Sequence, residues 1–298
     1  MVAPMIVSAS RRTDIPAFYA QWFIRRVRAG FCTVANPFNP HQVSRVSLEP
    51  EAVDAVVFWT RYPAPLMPYL SELDHLGIPY YFLFTLVDYP RILEPRTPTV
   101  GRAVEVFREL ADGIGAGRVV WRYDPVVLGP CTTVDYHLQR FSRLAQALSG
   151  ATERVVLSVM DLYKKLNKRL RGLADKGFVA GDETQLSEGE LERLIMGLAG
   201  LARSHGMELQ TCAEELPFEV PGVVEGKCVD DELLAKECDV QVEPGKDPRQ
   251  RGACRCVVSK DIGAYDTCPF GCAYCYAVRS FERARRRYRE HDPDASSL

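Results

Sequence analysis

The sequence lacks the features that mark a membrane protein or a strongly charged partner-binding protein. No apolar run approaches the ~20 residues that a membrane-spanning helix needs. Residues 1–10 lack the basic start and long apolar run of a signal peptide, so we expect a cytoplasmic protein. The net charge is only −2 over 298 residues, which gives no overall field that favours nucleic acid or a membrane surface. Internal repeats are absent, and the five histidines show no metal-ligand spacing.

Cysteine, in contrast, is abundant, with ten residues. Without a secretory route, these are expected to be metal ligands in a reducing compartment rather than disulfides. Cys268, Cys272 and Cys275 follow a Cys-x3-Cys-x2-Cys pattern, with Tyr274 just before the third thiol. Three closely spaced thiolates can hold a [4Fe-4S] cluster and leave one iron open to a substrate or cofactor. Structural zinc and unligated thiols are the alternatives.

This spacing resembles the cluster motif of radical S-adenosylmethionine (SAM) enzymes, and the Tyr-Cys-Tyr-Ala ending is most similar to the spore photoproduct lyase branch. Residues 8–16 and 261–277 together resemble the paired motifs of an uncharacterised bacterial domain family, over most of the chain. Two features depart from radical SAM enzymes. Their motif usually follows the first strand, whereas here it lies near the end of the chain. A Gly-Gly-Glu stretch, which many of them use to hold the SAM amino group, is missing after the second strand.

Six apolar strand patterns alternate with helical patterns up to residue 211, which predicts parallel βα units. A partial (β/α)6 barrel is the first choice, because the resemblance to radical SAM enzymes implies it. A complete TIM barrel and an open doubly wound sheet are the alternatives. We expect a barrel-like catalytic domain at residues 1–215 and a cysteine-rich, cluster-binding extension at residues 216–298. The extension is expected to end in an arginine-rich helix over residues 276–290.

Polar side chains follow nearly every predicted strand. Working residues of parallel α/β proteins gather at the C-terminal ends of their strands, so these side chains predict a polar mouth that the cysteine loop covers. The candidates for catalysis are Arg11, Arg12, Asp14, Arg122 and Asp124. The candidates for binding the cofactor are Thr60, Arg61, Ser158, Asp161 and Glu214.

Four other cysteines form a separated pair followed by Cys-x-Cys: Cys212, Cys228, Cys254 and Cys256. We expect them to hold a second, auxiliary [4Fe-4S] cluster, with structural zinc or independent thiols as alternatives. Cys238 is the substitute ligand, and the two remaining cysteines are expected to be ordinary packing residues. The arginine-rich helix is either a solvated face or a contact for phosphates.

The resemblance implies radical chemistry with SAM as the second cofactor. The open iron would chelate the amino and carboxylate groups of SAM, and one electron would cleave SAM to a 5′-deoxyadenosyl radical or, less commonly, a 3-amino-3-carboxypropyl radical. A donor such as flavodoxin or ferredoxin would supply the electron, and the substrate would be a small molecule or a nucleic acid. Two other functions stay open: an electron carrier or redox sensor without SAM chemistry, and a zinc-stabilised hydrolase or binding protein.

Overall fold

A computed structural model describes residues 5–181, 184, 186–214, 218 and 220–298. The strands within these residues are β1 Met5–Ala9, β2 Phe31–Asn36, β3 Asn39–Ser47, β4 Val53–Thr60, β5 Tyr80–Thr85, β6 Val119–Val126, β7 Arg154–Val159, β8 Glu208–Thr211, β9 Val223–Glu225 and β10 Ser259–Asp261. The α-helices are α1 Ile15–Phe18, α2 Ala20–Arg28, α3 Leu70–His75, α4 Val100–Ile114, α5 Val134–Leu148, α6 Asn167–Ala174, α7 Glu188–Ser204, α8 Asp231–Cys238 and α9 Phe281–Glu290.

In the described part of the chain, eight strands form one wholly parallel sheet in the order β10-β1-β4-β5-β6-β7-β8-β9. The antiparallel pair β2–β3 stands apart. The six central strands follow one another in chain order, which confirms a mixed α/β fold with a parallel sheet. Among the described residues the edge strands β9 and β10 do not pair with each other, so the sheet is open and the alternative of a closed TIM barrel is not found.

Both faces of this sheet are buried, as the apolar strand β5 shows. Its side chains alternate between two cores: Tyr80, Phe82 and Phe84 enter the larger one, and Tyr81 and Leu83 enter the smaller one. Side chains of a strand point alternately to opposite faces, so a continuous apolar run predicts burial on both. Helices α2, α4, α5 and α7 supply the larger core.

The cysteine-rich extension supplies the smaller core. Leu233 and Leu234 of α8 are buried there together with Cys228, Cys254 and Cys256. Helix α8 begins where the Asp230 side chain accepts hydrogen bonds from two backbone N–H groups of its first turn. The extension therefore covers the second face of the sheet and adds both edge strands to it. The predicted domain boundary, between residues 215 and 216, lies outside the described residues.

Helix boundaries follow the capping side chains. A capping box of Ser187 and Glu190 is present at the start of α7. The predicted start of the last helix at residue 276 is wrong: α9 begins at Phe281, where the Ser280 hydroxyl accepts from the Arg283 N–H. None of the helices in the described ranges combines the length and apolar character that a membrane crossing requires.

Candidate functional site

A cavity of about 380 Å³ lies at the C-terminal ends of the central strands. Loops after β1, β4, β6, β7 and β8 form part of its wall, and the two cysteine-bearing segments of the extension form the rest. Among the residues predicted from the sequence, the cavity brings together Arg11, Arg12, Asp14, Thr60, Arg61, Arg122, Asp124, Ser158, Asp161, Cys212, Cys228, Cys254, Cys256, Cys268, Cys272 and Cys275.

Glu214 is the predicted residue that lies elsewhere. It lines a neighbouring pocket, and its Oε1 accepts a hydrogen bond of 2.9 Å from the backbone N–H of Val159. Glu214 therefore supports the end of β7 and does not face the cavity that the other candidates share.

The loop after β1 is tied to the start of the cysteine segment through Asp261. Its carboxylate accepts from the hydroxyl of Ser10 at 2.7 Å, from the backbone N–H of Arg11 at 2.7 Å and from Nε of Arg12 at 3.0 Å. Because residues 8–12 and 261 are far apart in sequence, this carboxylate explains why the two motifs occur together. It also places both motifs at the rim of the cavity.

A second contact between the loop after β1 and the cysteine segment requires glycine at position 263. A Cβ there would lie 2.0 Å from Oγ of Ser10 and 2.8 Å from Oγ1 of Thr13, closer than nonbonded atoms approach. Oγ1 of Thr13 in turn donates to the carbonyl of Ala264 and contacts Oγ1 of Thr267 at 2.7 Å. The loop after β1 therefore packs directly against the backbone that leads to Cys268.

The three cysteines of the Cys-x3-Cys-x2-Cys motif line the cavity, with Cys272 buried and Cys268 and Cys275 partly buried. Burial raises the pKa of Cys268, Cys272 and Cys275, and raises that of Cys272 to about 12. Metal ligation requires thiolates, so binding of a metal here would release these protons. The loop reverses at Gly271, whose φ of +81° is a conformation that glycine adopts without strain.

A buried ion pair lies directly beside the middle thiol. Nη2 of Arg61 is 2.5 Å from Oε1 of Glu94, and Nη1 of Arg61 is 3.5 Å from Sγ of Cys272. The hydroxyl of Tyr274, the aromatic of the motif, accepts from Arg61 at 2.6 Å and donates to Glu94. Burial raises the pKa of Glu94, and Arg61 opposes that rise. Glu94 therefore compensates the buried charge of Arg61, which lies next to the thiol of Cys272.

The backbone of the motif is held by Arg169 of α6. Its Nη1 donates to the carbonyls of Ala273 and Cys275, each at 3.0 Å, and its Nη2 donates to the carbonyl of Val278. The same guanidinium stacks on the ring of Phe281, with 4.3 Å between them. One side chain therefore fixes the path of the chain on both sides of the third cysteine.

The other four predicted cysteines form one contiguous group of thiols. Sγ of Cys212 lies 3.1 Å from Sγ of Cys228. Hydrogen bonding from Cys228 lowers the pKa of Cys212 to about 7, and hydrogen bonding from Cys228 and Cys254 lowers that of Cys256. Cys228, Cys254 and Cys256 are buried in the smaller core, Cys212 is partly buried against it, and the group opens into the same cavity. Thiolates in such a group are the ligands that iron–sulfur clusters and zinc prefer.

Between the two thiol groups, two arginines flank the indole of Trp59. The guanidinium carbons of Arg11 and Arg122 lie 4.9 and 4.6 Å from its ring centroid. Nη2 of Arg11, Nε of Arg122 and Nε1 of Trp59 are buried without a hydrogen-bond partner among the described residues. These donors are therefore available to a ligand that supplies acceptors.

The other candidates are held in hydrogen bonds at the strand ends. The Asp14 carboxylate caps α1 and accepts hydrogen bonds from the hydroxyl of Thr60 and the backbone N–H of Arg61, both at 2.7 Å. These hydrogen bonds favour the charged form, but burial outweighs them and raises the pKa of Asp14 to about 6. Ser158 donates to Asp124 at 2.5 Å, and Asp124 also pairs with Arg122. Asp161 pairs with Arg251 of the extension at the mouth. Three separate sets of hydrogen bonds and ion pairs therefore hold these side chains in place.

In number and chemical type, the thiols suit iron–sulfur clusters. Two separate groups, of three and four thiols, line a single cavity, which is the donor set that such clusters use. Within the described ranges, no group of three or more His, Cys, Asp or Glu side chains is arranged so that it could hold a metal ion. The three-thiol group is the one suited to an iron with an open position.

The family described as "Domain of unknown function (DUF1848)" matches residues 6–277, from β1 to the end of the cysteine motif. The chain belongs to this family. No curated protein matches it. One similar solved structure is a putative alpha-L-fucosidase from Bacteroides thetaiotaomicron VPI-5482, at 12% identity and a TM-score of 0.28, over 82% of this chain and 85% of that chain. A likeness this weak carries no argument about fold or activity.

Several residues of the site were not predicted from the sequence, although the family match extends to the end of the cysteine motif. Glu94 lies in the loop between β5 and α4, where no local pattern marks it. Arg169 belongs to a basic stretch that has the composition of a solvated surface. Arg251 and Trp59 also line the cavity, and only their position in space shows it.

Proposed function

We propose that the protein is a cytoplasmic radical SAM-type [4Fe-4S] enzyme, with its cluster on Cys268, Cys272 and Cys275. The observation that carries this proposal is that three thiols, spaced for a cluster with one open iron, share a cavity with the polar ends of the central strands. When bound, the reduced cluster and SAM would supply a carbon-centred radical for chemistry on a substrate in the cavity.

The chain's own part would be to bind, orient and enclose. The unpartnered donors of Arg11, Arg122 and Trp59 suit the carboxylate of SAM or an anionic group of the substrate. Asp124 and Asp161 offer acceptors at the same wall for an amino or ribose group. Buried side chains around the thiols, including Phe270 and Tyr274, would exclude water from the reacting centre.

The order of the strands supports a more specific description of the fold, namely a partial barrel. Six consecutive parallel strands with their helices in one layer are consistent with a partial (β/α)6 barrel. In this description the extension fills the inner face, and the cluster loop closes the C-terminal end. The radical SAM order would then be permuted, with the motif after the last strand rather than the first.

We further propose that Cys212, Cys228, Cys254 and Cys256 hold an auxiliary cluster. Their contiguity supports a metal site, and their opening into the cavity supports a role near substrate. Zinc would serve the same four ligands, and then its role would be to hold the extension together. Cys238 lies apart, with its thiol against the carbonyl of Tyr80.

Metal content and product analysis test the proposal. Protein reconstituted anaerobically should hold about eight irons per chain, and alanine at Cys268, Cys272 and Cys275 together should remove about four of them. The matched control is a variant with alanine at Cys32 and Cys131, which belong to neither group of thiols. Unchanged iron in the triple variant, or stoichiometric zinc without iron, would overturn the cluster assignment. With reductant, the wild type should convert SAM to 5′-deoxyadenosine, and an iron-containing protein that does not bind SAM would be an electron carrier.

A further inference from the structure

A groove of about 300 Å³ lies on the outer side of the cysteine loop. Pro269 and Phe270, which stand between the first two cysteines of the motif, form part of its floor. Phe270 also lines the cavity, so a single aromatic ring separates the groove from the site inside. The groove is therefore the place where the outer surface comes close to the three thiols.

The groove is positively charged. Arg96, Arg285 and Arg289 line it, and none of them has a carboxylate within ion-pair distance in the part of the chain that the structure describes. Helix α9, which supplies two of them, carries five arginines and two glutamates. Unpaired surface charge of one sign steers oppositely charged proteins to the surface and raises their association rate.

Aromatic side chains connect the groove to the thiol loop. The ring of Tyr288, which is 42% exposed, contacts Phe18 with 5.3 Å between centroids, and Phe18 contacts Phe270 at 4.5 Å. Tyr19, next to Phe18, donates from its hydroxyl to the carbonyl of Thr267, immediately before Cys268. A protein seated on this groove would thus be in packed contact with the cysteine loop.

We propose that this groove is the docking surface for an acidic electron-donor protein, which delivers one electron to the cluster on Cys268, Cys272 and Cys275. The proposal rests on the function proposed above, because it needs that cluster as acceptor. The electron leaves the reduced donor, the cluster gains it, and no atom has to pass Phe270. A nucleic acid on the same arginines would be separated from the cavity by that ring, so the position of the groove favours the electron donor.

The test follows cluster reduction by stopped-flow absorbance, with photoreduced flavodoxin as the acidic probe and reduced methyl viologen as a small cationic reductant. The variant R285S/R289S removes two charges from the groove. The variant R143S/K176S removes two exposed charges that do not line it and is the matched control. The variant R285K/R289K keeps the charge. At low salt, the second-order rate with flavodoxin should fall roughly tenfold in R285S/R289S only, and the difference should shrink as salt rises.

Each outcome decides between the possibilities. A flavodoxin rate unchanged in R285S/R289S, while methyl viologen still reduces the cluster, would overturn the docking surface and leave the proposed function standing. An equal loss of rate with methyl viologen would show damage to the cluster site rather than to docking, and would also overturn it. Loss of binding to a labelled single-stranded oligonucleotide with no change in flavodoxin rate would assign the groove to nucleic acid. Absence of any reducible cluster in the wild type would overturn both proposals.

Discussion

Arg61 and Glu94 form a buried ion pair whose cation also lies 3.5 Å from the thiol of Cys272. Their side chains are 13% and 4% exposed, so neither charge is well solvated. Such a pair positions a charge well, but removal of one partner leaves the other buried and uncompensated.

The variant E94Q should therefore lower the free energy of unfolding by about 3 kcal/mol, as expected for a broken buried pair. Chemical denaturation measures this change. The matched control is E105Q, which breaks the exposed pair with Arg102 and should cost less than about 1 kcal/mol. Equal effects of the two substitutions would show that the pair beside Cys272 has no special structural role.

Arg169 provides a second prediction, because it is hydrogen-bonded to four carbonyls between Cys272 and Val278. The variant R169A should loosen residues 272–278 and increase the rate of amide hydrogen exchange in that segment. It should also speed the loss of iron to a chelator. R171A, on the same helix and bonded to the carbonyl of Asn167 rather than to the cysteine loop in the described residues, is the control. Unchanged exchange in R169A would contradict the account of how the loop is held.

The close contact at Gly263 gives a third prediction. The variant G263A places a methyl group against Ser10, and such overpacking costs about 1–3 kcal/mol. The double variant G263A/S10G removes the atoms it meets and should recover part of that loss, which a double-mutant cycle measures. G252A, where nothing lies within 4 Å, should be near neutral. Full additivity of the two substitutions would show that these residues do not touch.

His137 makes stability depend on pH. It is fully buried, its Nε2–H donates to the carbonyl of Val127 at 3.0 Å, and its Nδ1 accepts from the hydroxyl of Tyr123 at 2.9 Å. Burial lowers its pKa from 6.5 to about 4. The unfolded chain therefore binds the proton first, and stability is lost as the pH falls from about 6.5 to about 4.

This shift corresponds to about 3 kcal/mol of stability at neutral pH relative to pH 4. The measurement is the free energy of unfolding against pH for the wild type and for H137Q, which should be less stable at pH 7 and have a flatter profile across that window. The variant H75Q, at an exposed position, should keep the wild-type slope. An identical slope in H137Q and the wild type would contradict the assignment.

The central sheet was predictable because its signals are local. Each βα unit carries an apolar run and a helical repeat within about 30 residues, as β5 and α4 show. The polar ends of those strands then predicted most of the site, since parallel strands end at one edge. That prediction needs only the order of the strands and helices along the chain.

The extension was not predictable in the same way, because distant contacts order it. Helix α9 begins five residues later than its arginine pattern indicates, since the Asp266 carboxylate binds the N–H groups of Arg279 and Ser280. Strand β10 forms only beside β1, some 250 residues away in sequence. Glu94 likewise acquires its role from Arg61, which lies in the loop after a different strand, β4. A pattern within one short segment of the sequence does not show which distant residues that segment will contact.

Electron paramagnetic resonance of the anaerobic, reduced protein with and without SAM tests the central claim most directly. The account predicts a [4Fe-4S]⁺ signal that changes shape when SAM is added, because SAM would bind the iron that Cys268, Cys272 and Cys275 leave open. The change should vanish in the C268A/C272A/C275A variant, while any signal from the other four thiols stays. A wild-type signal indifferent to SAM would contradict the account and identify an electron carrier or redox sensor instead.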